Sequence, residues 1–143
     1  MPPVSRLDDE IEAIREKKRR EMIERLSGKA NEGRSELPGG VLEMDDASID
    51  AAIQSYPSLV VDCWAAWCGP CRAMAPVIEQ LAKKHKGKIV FGKINVDRNP
   101  GTAARFQVMS IPAFLVFRRG EHVDTIIGAM PAERLEQRLA KYF

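Results

Sequence analysis

Two stretches of this chain, Leu59-Val60-Val61 and Ala113-Phe114-Leu115-Val116-Phe117, are apolar at every consecutive position. Successive side chains of a strand point to opposite faces, so a strand with one wet face alternates in polarity. An unbroken apolar run marks instead a central strand covered on both sides. A sheet of such strands needs a layer of helices on each face. The rest of the pattern supplies them. A short strand near 41–44 precedes a helix over about 46–55 and a strand over about 59–64. A helix then runs to about Lys86, with Met74, Val77, Ile78 and Leu81 at spacings of three and four. Next come a strand over about 88–95, a short helix near 101–106, strands at about 113–118 and 123–127 joined by Arg118-Arg119-Gly120-Glu121, and a last helix from Pro131. Alternation first and a hairpin afterwards predict an α/β fold: a central mixed β-sheet flanked by helices.

The chemistry concentrates at Trp67-Cys68-Gly69-Pro70-Cys71, where strand gives way to helix. Two thiols separated by two residues can form and break a disulfide reversibly. At a helix N-terminus, unpaired N–H groups and the positive end of the macrodipole stabilise a thiolate on Cys68, and the thiolate is the attacking species. Cys71 follows about one turn later, within reach of whatever sulfur Cys68 has captured. Gly69 permits close backbone approach, and Pro70 suits a first turn whose N–H has no intrahelical partner. Pro76, inside the helix, removes a hydrogen bond and is expected to kink it. Metal binding is the rival reading of a C-x-x-C pair. Structural zinc takes four ligands, whereas this chain offers one pair, Cys63, and the isolated His85 and His122; a metal is the minor alternative and none is assigned.

Asp62 is the one charged residue in its apolar strand. Alone, such an acid reads as an edge residue or a structurally paired one. Beside the motif, a carboxyl in an apolar pocket should have a raised pKa, suiting it to take the proton from Cys71. Cys63 points to the opposite face and reads as an inert buried side chain. Trp67 reads as an apolar cover beside Cys68 that contacts a target, and Trp64 as structural packing.

The chain has 143 residues, which suits one domain and an additional segment. A net charge of +2 with 29% charged residues makes no demand for a nucleic acid or an anionic surface. Three cysteines are not the disulfide scaffold of an oxidising compartment. The opening Met1-Pro2-Pro3-Val4-Ser5-Arg6 leads into charge rather than an apolar core, so no secretory signal is expected. No apolar run approaches the roughly 20 residues of a bilayer span. A soluble, cytoplasmic location is the expectation.

Ser5 with Asp8 forms a capping-box pattern and Gly28 a stop, predicting one helix over 6–27. Residues 28–40 have linker composition, and the domain proper is expected to begin at Val41. Ile11, Ile14, Met22 and Leu26 form a thin apolar stripe, extended by Leu7 and interrupted by Lys18. Residues 6–12 hold one basic and four acidic side chains; residues 15–29 hold seven basic and three acidic. Acid first and base last suits the helix dipole, so a solvated or partner-docking helix is favoured. Nucleic-acid contact through Lys17-Lys18-Arg19-Arg20 is disfavoured because the run is brief and lacks a stacking aromatic, and membrane insertion because the apolar face is weak.

With the Trp-Cys-Gly-Pro-Cys motif on this order of elements, Val41 to Phe143 resembles the thioredoxin family. The resemblance is carried by Val60-Val61-Asp62-Cys63-Trp64-Ala65-Ala66-Trp67 and Pro76, by Lys93-Ile94-Asn95-Val96-Asp97 and Asn99-Pro100-Gly101-Thr102-Ala103, and by Ile111-Pro112, Gly120 and Gly128-Ala129. Residues 1–40 lie outside it; their opening, Asp8 to Arg15, is briefly similar to the DNA-binding family of programmed cell death protein 5. The thioredoxin resemblance implies a thioredoxin fold with Cys68 as exposed nucleophile, Cys71 as buried resolving thiol, and Cys68-Cys71 as the redox disulfide. It implies that Lys93 tunes Asp62 and that Pro112 is a cis-proline facing the pair, leaving a backbone edge at Ser110-Ile111 for an extended substrate. Trp67, Gly69, Pro70, Ile111, Pro112 and Gly128 are its implied substrate-binding residues. The implied activity is reduction of protein disulfides by dithiol/disulfide exchange in a monomer without bound cofactor, with electrons supplied by a separate thioredoxin-reductase-type enzyme. Ala113 and Arg72 depart from the family's frequent threonine and lysine without removing a catalytic group. The alternative is a partner-binding or targeting adaptor whose extension supplies the specificity; family members lacking one cysteine act so, and this chain has both.

Overall fold

The computed structural model describes residues 10–19 and 39–143. Residues 10–19 are helical (α1), inside the helix expected over 6–27; the capping box at Ser5, the stop at Gly28 and most of the linker lie outside the described residues. From there the elements are β1 (Leu42–Met44), α2 (Ile49–Ser55), β2 (Ser58–Trp64), α3 (Gly69–Lys84), β3 (Val90–Asn95), α4 (Pro100–Arg105), β4 (Ala113–Arg118), β5 (Glu121–Ile127) and α5 (Ala132–Leu139). The five strands form one mixed sheet in the order β1-β3-β2-β4-β5. β2 runs parallel to β3 and antiparallel to β4.

The two unbroken apolar runs are the central pair of strands, buried on both faces. Leu59, Val61 and Cys63 of β2 and Ala113, Leu115 and Phe117 of β4 join Ile49, Ala52 and Ile53 of α2 in one core. The alternate residues Val60, Phe114 and Val116 pack against Met74, Ile78 and Leu81 of α3 and Leu135 and Leu139 of α5. Cys63 thus lies on the α2 side, and the period of two turns Asp62 toward α3.

β3 starts at Val90 rather than about 88 and α3 ends at Lys84 rather than about 86, and two further boundaries differ from expectation for local reasons. α2 starts at Ile49 rather than near 46 because Asp45 and Ser48 close a turn first. Asp45 N–H donates to Ser48 Oγ at 3.0 Å, and Ser48 N–H to Asp45 Oδ1 at 2.8 Å. β5 starts at Glu121 rather than about 123, since Arg118 pairs directly with Glu121 across a two-residue turn. Arg119 and Gly120 both have positive φ, 50° and 84°, the hairpin geometry that matches strand twist. α3 runs through Pro76 without ending there.

Candidate active site

The carboxyl end of β2 and the first turn of α3 build the site. Cys68 is the residue before the helix, with extended backbone (φ −88°, ψ 107°), and Pro70 occupies the first turn. Cys68 N–H donates to Ala65 O at 3.1 Å, and Arg72 N–H donates to Cys68 O at 3.2 Å. Cys68 and Cys71 are joined in a disulfide, with Cα atoms 5.2 Å apart. Cys71 N–H donates to Cys68 Sγ at 3.2 Å. A helix-start donor therefore already points at the Cys68 sulfur, where it would stabilise negative charge.

The expected contrast between an exposed Cys68 and a buried Cys71 does not hold in this state: they are 4% and 2% exposed. The disulfide-bonded pair packs with Ala65, Trp64, Val96 and Ile111. Trp64, read from sequence as structural, is thus part of the wall around the sulfurs. Trp67 is 70% exposed, and its indole N–H donates to Asp97 Oδ2 at 2.8 Å. Asp97 is a site residue that sequence reasoning did not single out; its only signal was membership of a resembling stretch.

The Ile111-Pro112 peptide bond is cis. Cys68 Sγ lies 3.9 Å from the Ile111 carbonyl oxygen, which places this segment beside the pair. Gly128, where β5 ends, has φ 103° and donates its N–H to Pro112 O at 2.9 Å. Only glycine adopts that conformation readily, so the contact depends on it.

Asp62 is 4% exposed, and its Oδ1 has no hydrogen-bond partner among the described residues. Burial pushes its pKa up to about 7, against a smaller opposing pull from Lys93. Lys93 is the residue paired with Asp62 across β2 and β3, and its Nζ sits 5.7 Å from the centre of the Trp64 ring. Burial, then the Asp62 charge, pushes the Cys63 thiol up to about 12, which keeps it un-ionised at neutral pH. His85 bonds to Glu136 and His122 to Thr125. Among the described residues, no group of three or more His, Cys, Asp or Glu is placed to hold a metal ion.

A model of the thioredoxin family matches residues 40–141. The chain belongs to the thioredoxin family. Thioredoxin of Alicyclobacillus acidocaldarius is 48% identical over 99 residues, covering 69% of this chain and 94% of the relative. Thioredoxin of Staphylococcus haemolyticus is 48% identical over 102 residues, covering 71% and 97%. A solved mutant thioredoxin from Halobacterium salinarum superposes with a TM-score of 0.69 at 28% identity, over 73% of this chain and 92% of that one. As in a thioredoxin, the chemistry of the Cys68–Cys71 pair is dithiol/disulfide exchange, and the chain is a thiol–disulfide oxidoreductase that needs no metal or organic cofactor for the step. Among the described residues, no helix is long and apolar enough to cross a membrane.

Proposed function

We propose that this protein is a monomeric cytoplasmic reductase of protein disulfides, re-reduced by a separate thioredoxin-reductase-type enzyme. The observation that carries the reading is the sulfur pair at the first turn of α3, with the Cys71 N–H aimed at Cys68 Sγ. In the reduced protein, Cys68 is the nucleophile. Its thiolate attacks a substrate disulfide, one substrate sulfur leaves as a thiolate that takes up a proton, and a mixed disulfide remains. Cys71 is the resolving thiol. It gives its proton to the Asp62 carboxylate and attacks Cys68 Sγ, breaking the mixed disulfide; the second substrate sulfur leaves as a thiolate that takes up a proton, and Cys68 and Cys71 are left oxidised by two electrons. A carboxyl titrating at about 7 takes and returns a proton near neutral pH with little driving force lost either way. Lys93 limits how far that pKa rises.

The substrate lies along Ser110-Ile111 beside Pro112, bounded by Trp67, Gly69, Pro70 and Gly128. Exposed Trp67 provides apolar contact, and the Ile111 segment next to Cys68 Sγ provides backbone partners for an extended chain. A Gly-Pro pair between the cysteines accords with the reducing direction. Residues 41–143 perform the exchange, and residues 1–40 serve a partner rather than the chemistry. The test is insulin reduction by dithiothreitol: catalytic amounts of the protein accelerate precipitation of the insulin B chain, and Cys68→Ser abolishes the acceleration. Wild-type protein that leaves the precipitation rate unchanged refutes the assignment.

A further inference from the structure

A chain of contacts closes on itself around the sulfurs. Cys68 Sγ lies 3.9 Å from Ile111 O. The next carbonyl, Pro112 O, accepts from Gly128 N–H at 2.9 Å. Two residues further, Met130 N–H donates to Met74 Sδ at 3.4 Å. Met74 stands three residues, about one turn, after Cys71 on α3, which completes the circuit. The Met74 thioether is the link that belongs neither to the backbone nor to the reacting pair.

We infer that Met74 is a positioning residue for disulfide exchange: its sulfur ties the Gly128–Met130 rim to the helix that carries Cys68 and Cys71. Met130 lies past the end of β5 at Ile127 and before the start of α5 at Ala132, so neither a strand ladder nor an intrahelical bond supplies an acceptor for its amide. Met74 is 2% exposed and delivers one from the core side. A branched aliphatic side chain would fill the same volume and leave that amide unmatched. With the tether in place, Gly128 keeps its hold on Pro112, and the edge at Ile111 stays fixed relative to the sulfurs. The effect falls on protein substrates, which span the rim, rather than on small disulfides, which meet only the sulfurs.

This inference rests on the proposed reduction of protein disulfides, and Met74→Leu tests it. The swap nearly conserves volume and removes the acceptor. The KM for insulin should rise about two- to fivefold with kcat unchanged, the net worth of one hydrogen bond expressed in binding. The Met130 amide should be protected in the wild type and exchange with solvent faster in the variant by about the same factor. An unchanged KM together with unchanged Met130 exchange overturns the inference. Should the variant not fold, hydrogen exchange of the wild-type protein decides: a protected Met130 amide supports the tether and an unprotected one overturns it. Failure of the wild type to reduce insulin at all refutes the functional reading instead.

Discussion

Asp62 shows how one residue ties stability to chemistry. Its carboxyl is buried on the face that looks toward α3, and its pKa rises from 3.8 to about 7. Between those values the unfolded chain is ionised while the folded protein keeps its proton, so the folded state binds more protons and loses stability as pH rises. Below about pH 4 both states are protonated and the penalty vanishes; above about pH 7 it is fully present. Asp62→Asn removes the titration. Relative to wild type, the variant should gain stability on going from about pH 4 to about pH 8, by up to the order of 4 kcal/mol if the whole shift is realised. Urea unfolding at the two pH values measures the difference, and a gain equal at both would show that the carboxyl does not titrate near neutrality. On the proposed mechanism the same variant slows resolution of the mixed disulfide, because Cys71 loses its proton acceptor. The acid was legible in the sequence because a charge in an apolar strand is conspicuous. Asp97 was not: its bond to Trp67 joins residues 30 apart, and no periodicity encodes it.

Among the elements, α4 depends most on side chains from outside itself. It has six residues and no side-chain cap of its own. The cap comes instead from the turn after β1: Asp46 accepts from Gly101 N–H at 3.2 Å, from Thr102 N–H at 2.8 Å and from the Thr102 hydroxyl at 2.6 Å. Asn99 Oδ1 accepts from Asp46 N–H at 2.9 Å, which makes the clamp reciprocal. The Thr102 hydroxyl bond is the largest influence holding the Asp46 pKa below its ordinary value, with the two backbone bonds adding to it against a partial burial penalty. A lowered carboxylate pKa contributes stability above the unfolded value, and that stability is lost as pH falls through the folded one. Asp46→Ala should therefore lower the thermal midpoint by a few degrees at neutral pH, with the gap to wild type closing in acid. Scanning calorimetry at neutral and acidic pH checks both parts; a gap that persists in acid would assign the loss to packing rather than to the charged cap. The clamp bridges residues 56 apart, which is why the sequence pattern placed α4 to within a residue yet revealed nothing of what fixes it.

Across the whole molecule, the strands and helices that were legible are those specified by local rules. The run Ala113–Arg118 became a strand at its expected bounds because every side chain in it is apolar up to the final arginine. The start of β5 was misplaced because Glu121 and His122 are polar, although both pair in the ladder. Core membership follows the same logic at larger scale: among the described residues, every member of the three buried clusters lies at position 41 or later. The described part of the extension contributes none, and all ten of its residues, 10–19, are exposed, Ile14 to 55%. Removing residues such as 10–19, which are solvent-exposed and share no core, usually changes stability by no more than about 0.5 kcal/mol. Residues 41–143 alone should then unfold at the same urea concentration as the full chain and reduce insulin with the same kcat/KM. A fall in stability above about 1 kcal/mol would mean that the extension docks on the domain. A lowered kcat/KM at equal stability would place the extension in substrate capture, and the division at residue 40 would no longer separate chemistry from recognition.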